Sequence, residues 1–189
     1  MNNKIKIIIF AAFSILLAVG LTIYYLKSNS MPQTGGKDMK SYDELTQQRL
    51  RLEKKFRDDI DYSIDILEDQ TQSKEMRYGA EDALCEIETQ NIKAFNSLLT
   101  VFSNKEEKEP NVRYAIAICF RDNKELRAVG ALIHALNDDD SMMRYKAAQV
   151  LGELKVQKAA TPLENMLKND SDEINRERAS RSLKMIMEN

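Results

Sequence analysis

The stretch Arg144-Tyr145-Lys146-Ala147-Ala148-Gln149-Val150-Leu151-Gly152-Glu153-Leu154 constrains the fold most, because the chain contains it twice. Moved back 67 positions without a gap, it falls on Arg77-Tyr78-Gly79-Ala80-Glu81-Asp82-Ala83-Leu84-Cys85-Glu86-Ile87. Arg, Tyr, Ala, Leu and Glu are identical, and the last position stays aliphatic. Weaker copies begin at Arg113-Tyr114 and at Arg176, so the four arginines lie 36, 31 and 32 residues apart. A period in this range marks a helical-repeat array, whose units cannot bury their apolar faces alone and must stack.

Within the copies, Ala80, Ala117, Ala147 and Ala179 follow the arginine by three or four positions, and Leu84, Phe120, Leu151 and Leu183 by seven. These positions share one helical face. The alanines let a neighbouring helix approach, and the larger side chains fill the remaining gap. Ser73, Glu109, Asp140 and Asp172 stand four before each arginine, where an N-cap belongs. Another amphipathic segment precedes each copy: Ile60-Ile64-Leu67, Phe95-Leu98-Leu99-Phe102, Val129-Leu132-Ile133-Leu136 and Leu163-Met166-Leu167. Each unit therefore reads as a helical hairpin. Thr161-x-x-Glu164 reads as a capping box for the first helix of the last one.

The third copy, Asp140-x-x-x-Arg144-x-x-Ala147-Ala148-x-x-Leu151-Gly152-x-Leu154, resembles the second helix of the HEAT-like repeat family, in the short bacterial form also found in phycobilisome lyases. The fourth copy keeps Asp172, Arg176, Ala179 and Leu183 but lacks the glycine; the second has Glu109 and Phe120 in place of Asp and Leu. The resemblance covers about residues 56–187. It implies an all-α solenoid of about four HEAT-like hairpins, with second helices lining its concave surface. It transfers no chromophore-handling residue, and such arrays serve many roles.

Ahead of the repeats, residues 5–26 read IKIIIFAAFSILLAVGLTIYYL, and the 20 residues from Ile7 to Leu26 carry no charge. At about 1.5 Å rise per residue they match a hydrocarbon core of about 30 Å. Tyr24, Tyr25 and Lys27 then suit the interface. Residues 1–27 are thus expected to be a single-pass anchor. The competing reading is a cleaved signal peptide with Ser28-Asn29-Ser30 at its site, although the apolar run exceeds the usual h-region of about 7–15 residues. Lys4 and Lys6 favour an inner bacterial membrane with the solenoid outside the cytoplasm. Residues 28–40 read as a flexible tether. Residues 41–189 form the solenoid, opening with the Ser41-x-x-Glu44 capping box and one long helix kinked around Asp58–Asp61.

Beyond residue 27 the chain has 25 basic against 30 acidic residues, a poor balance for replacing counterions on nucleic acid. Its one histidine, His134, has no His or Cys neighbour, and no paired His-Glu dipeptide, Gly-rich phosphate loop or Ser/His/Asp set is evident. No catalytic residue, cofactor, metal or small-molecule substrate is therefore expected. Cys85 and Cys119 sit eight and six residues after their arginines, and the mismatch predicts free buried thiols.

Arg77, Arg113, Arg144 and Arg176 are expected to form a structural ladder with Asp140 and Asp172, and with Glu109 as a weaker partner. Two further rows recur: Tyr78, Tyr114 and Tyr145 one after the arginine, and Glu86, Asp122 and Glu153 nine after it. Exposed on second helices, these rows would suit a protein partner of apolar and basic character. The alternative is that the tyrosines pack between repeats and the acids are solvated helix ends. Together these features predict a membrane-anchored scaffold or assembly module for a protein partner. A second possibility is an accessory subunit or maturation factor of a membrane-associated enzyme complex.

Overall fold

The computed structural model describes residues 37–87 and 90–188. The chain divides into two compact units, residues 1–47 and 48–189. The expected membrane segment 5–26 and tether residues 28–36 lie outside the described residues. Among the described ones, no helix is long and apolar enough to cross a membrane.

The described residues are all helical in their regular structure. Helix α1 is Lys37–Asp58, α2 Ile60–Glu68, α3 Lys74–Ile87, α4 Ile92–Ser103 and α5 Pro110–Asp122. Helix α6 is Val129–Ala135, α7 Ser141–Glu153, α8 Ala160–Asn169 and α9 Glu173–Met187. Short 3-10 turns, Leu126–Ala128 and Gln157–Ala159, lead into α6 and α8. Four hairpins result, α2/α3, α4/α5, α6/α7 and α8/α9, each packed along its length. The second helices stack in sequence, α3 on α5, α5 on α7 and α7 on α9, while α2 packs on α4 and α4 on α6.

The core follows the apolar edge. Ala80, Leu84, Ala117, Phe120, Ala147, Leu151, Ala179 and Leu183 are all buried, and each large side chain contributes about 1.5–3 kcal/mol by leaving water. Phe120 fills the second hairpin by packing at 6.1 Å from Phe95 and edge-on at 5.5 Å from Phe102. Helices α5 and α7 end alike: Lys124 and Lys155 take left-handed φ of 53° and 52°. The next amides, of Glu125 and Val156, bond back to Phe120 O and Leu151 O at 2.8 and 3.0 Å. That closes both helices in the manner of a Schellman cap.

Three boundaries differ from the sequence reading. Lys37–Lys40, assigned to the tether, are helical, so Ser41 lies within α1 rather than at its start. The expected kink is a break: Asp59 leaves the helical region and its carboxylate accepts from the Tyr62 amide at 3.0 Å, starting α2 afresh. Helix α8 begins at Ala160, ahead of Thr161, because the 3-10 turn feeds directly into it and leaves no cap to fill.

Candidate functional site

The arginine row lies inside the array. Arg77 donates to Leu67 O at 2.9 and 2.8 Å and to Glu107 at 2.7 Å, with both side chains of the ion pair 1% exposed. Arg113 donates to Phe102 O at 2.9 Å and to Asp138 at 2.6 Å. Arg144 forks onto Asp170 at 2.8 and 2.9 Å and reaches Asp138 O at 2.9 Å. Arg176 donates to Asp170 O at 2.7 Å. Each arginine thus bonds a carbonyl of its own hairpin, and the first three also bond a carboxylate of the following one.

The carboxylates are not the expected ones. Glu107, Asp138 and Asp170 stand two residues ahead of Glu109, Asp140 and Asp172, and each also accepts the backbone N–H of that later residue, at 3.0, 3.0 and 2.9 Å. One acid therefore pins its own loop and receives the preceding arginine. Burial alone would raise Glu107 and Asp138, but the arginine and backbone hydrogen bonds reverse it and hold both below the usual carboxylate range. For Asp170 the Arg144 hydrogen bond is the largest effect, in the same direction.

Asp140 and Asp172 instead cap α7 and α9, accepting from Met142 and Ile174 amides at 2.8 and 2.9 Å. Each also takes a hydroxyl from the preceding hairpin: Tyr114 bonds Asp140, and Ser141 bonds Asp172 at 2.6 Å. Glu109 occupies the N-cap position of α5 without a side-chain cap bond, and Pro110 starts that helix. The tyrosine row is accordingly drawn into the joints. Tyr114 is half-buried on Asp140, and burial followed by that bond raises its pKa. Tyr145 accepts from Arg178, whose guanidinium carbon lies 4.5 Å from the ring centre. Tyr78 is half-buried, with its pKa raised by burial and then by Glu109 and Glu81.

The acidic row is at the surface. Glu86, Asp122 and Glu153 are exposed and fall at or one residue before the C-terminal ends of α3, α5 and α7. Arg121 lies between the last two, 2.8 Å from Asp122 and 3.5 Å from Glu153. Glu86 makes no ion pair among the described residues. Asp82, one turn earlier on the same helix, adds its charge to the effect of the surrounding protein and raises the Glu86 pKa.

A further cluster went unseen in the sequence. Cys85 and Cys119 are joined by a disulfide, with Cα atoms 5.8 Å apart, which corrects the expectation of free thiols. In a stack, each helix shows one flank to the previous neighbour and the opposite flank to the next. Residues that touch therefore have different offsets from their arginines, and equal offsets point the same way. Gly152 and Ser182, again at offsets eight and six, touch in the same manner: a Cβ on Gly152 would lie 2.6 Å from Ser182 Cβ. Beside the disulfide, Glu81 occupies the alanine slot of the repeat, 7% exposed, without a hydrogen bond or ion pair among the described residues. Burial, with a smaller push from Asp82, raises its pKa to about 8. A carboxylate in an alanine position was the legible signal for this cluster.

Residues 96–184 match the family described as HEAT repeats, which supports the resemblance to HEAT-like repeats. No curated protein matches the chain. HEAT repeats generally mediate protein–protein interaction and typically act as non-catalytic scaffolds.

Proposed function

We propose that the protein is a membrane-anchored scaffold whose acidic second-helix edge docks a basic protein partner. The observation that carries this reading is the position of Glu86, Asp122 and Glu153 at the C-terminal ends of three stacked helices. A helix C-terminus already bears partial negative charge, and a carboxylate there costs about 0.3–1 kcal/mol. Three such placements, with Asp82 crowding Glu86, weaken the fold and suit a cationic surface. The tyrosines hold the helices in register, so the carboxylates carry the contact. The uncharged run Ile7–Leu26 supports the anchor.

The test is affinity capture with the full chain in detergent, comparing wild type with the Glu86→Gln, Asp122→Asn, Glu153→Gln triple variant. The variant should keep its helicity and melt at the same temperature or slightly higher. Recovery of basic partners should fall, and wild-type recovery should weaken with salt. Equal recovery by both proteins would refute the acidic edge. Carbonate extraction checks the anchor: a chain released into the soluble fraction has none.

A further inference from the structure

Glu81, Cys85, Cys119 and Asn123 form two one-turn pairs, Glu81/Cys85 on α3 and Cys119 near the end of α5 with Asn123 at its C-cap, facing each other across the joint between the first two hairpins. A carboxylate oxygen of Glu81 and both sulfurs lie within 4.8 Å of one another. Asn123 Nδ2 donates to Cys85 O at 2.7 Å and points at the two sulfurs from 3.5 and 3.7 Å. An amide donor beside both sulfurs stabilises them as thiolates.

The disulfide explains the two cysteines but not the acid. Glu81 is more than nine-tenths buried, has no partner among the described residues, and is directed at the sulfurs from a position where the other repeats carry small or apolar residues. An unpartnered buried carboxyl is costly. Nothing else on α3 or α5 compensates for it.

We propose that the reduced chain binds one zinc-like divalent cation through Cys85, Cys119 and Glu81, leaving a fourth position open. Two thiolates and one carboxylate are a donor set of borderline softness, suited to Zn²⁺ rather than to Mg²⁺ or Ca²⁺. Bonds of about 2.0–2.3 Å require ligand atoms within roughly 4 Å of each other, a small adjustment from the observed cluster. The chemistry balances. Two equivalents of a thiol reductant convert the disulfide to two thiols and are themselves oxidised to a disulfide. The cation then displaces the two thiol protons and the carboxyl proton, where present, to solvent. Disulfide and cation compete for the same sulfurs, so the joint is closed covalently under oxidising conditions and by a metal under reducing ones.

The experiment uses the full chain in detergent, reduced with a phosphine and titrated with Co²⁺ as a spectroscopic probe, then with Zn²⁺. The reduced protein should bind one Co²⁺ with a sulfur-to-cobalt charge-transfer band that Zn²⁺ abolishes. The oxidised protein, identical in sequence, should show no such band. Glu81→Gln should keep the band but weaken the affinity at least tenfold, and Cys119→Ser should lose most of it, with helicity checked for both. Absence of the band in the reduced wild type overturns the proposal. So does an unchanged affinity in a folded Glu81→Gln protein.

Discussion

The first and last joints of the array use the same positions for opposite purposes. Between α3 and α5, the residues at offsets eight and six are Cys85 and Cys119, and they are bonded. Between α7 and α9, they are Gly152 and Ser182, and the glycine lets the helices approach so closely that any Cβ would strike backbone at 2.7 Å. Ser182 then donates its hydroxyl to Ala148 O at 2.7 Å. At the first joint Glu81 stands at the offset held by Ala148. One joint is fastened by a cross-link beside an awkward buried carboxyl, the other by small residues and close contact. The repeat thus fixes where neighbouring helices meet, while the side chains at the meeting point decide how they are held.

The largest expected effect separates the two joints through their ladders. Arg77→Ala leaves Glu107 buried without its ion partner and should cost about 3–5 kcal/mol in urea unfolding. Arg144→Ala should cost less, because Arg144 is 14% exposed and water can replace part of what is lost. An equal loss at the two sites would show that burial does not set the strength of the rungs.

Next comes a pH slope confined to the first joint. Glu81 keeps its proton to about pH 8 when folded, against an ordinary value of 4.5. The folded state then binds a proton that the unfolded chain has released, so stability falls as pH rises between those values and levels off above. The drop is on the order of 5 kcal/mol. Oxidised wild type, melted with a chelator present, should show it, and Glu81→Gln should not.

Reducing the disulfide, which spans 34 residues, should cost about 2–4 kcal/mol. A Cys85→Ser, Cys119→Ser protein should be indifferent to the reductant. At the last joint, Gly152→Ala should cost about 1–3 kcal/mol by overpacking. Gly79→Ala should cost less, since its Cβ meets only the Phe56 ring edge, at 2.8 Å. Smallest of all is Glu153→Gln. It removes a 3.5 Å surface pair and should shift stability by less than about 1 kcal/mol in a thermal melt.

The hairpins, their order and their buried edge were legible because a helix repeats its apolar face and the arginine marks each copy. The ladder's true acids were legible too, in the recurring acid-x-acid of Glu107/Glu109, Asp138/Asp140 and Asp170/Asp172. The later acid of each pair stands at a helix N-cap position, and the earlier one sits in the loop where the arginine of the previous hairpin arrives. The disulfide was hidden for a geometric reason: a mismatch of offsets suggests side chains that face apart, whereas stacked parallel helices bring unequal offsets together. Glu81 was legible as a carboxylate at the offset where Ala117 and Ala148 stand in the second and third copies.

The ladder also gives the array a direction of growth. Every rung points the same way, from the arginine of one hairpin to the acid of the following one. A hairpin added after α9 would need only an acid two residues ahead of its second-helix cap, because Arg176 already stands in place and spends one bond on Asp170 O. A hairpin removed from the front would leave Glu107 in the core with only a backbone amide to satisfy it. Gene duplications that append copies at the C-terminal side therefore inherit a ready connection, whereas deletions from the N-terminal side strand a charge. Lineages of such arrays should lengthen and shorten more freely at one end than at the other.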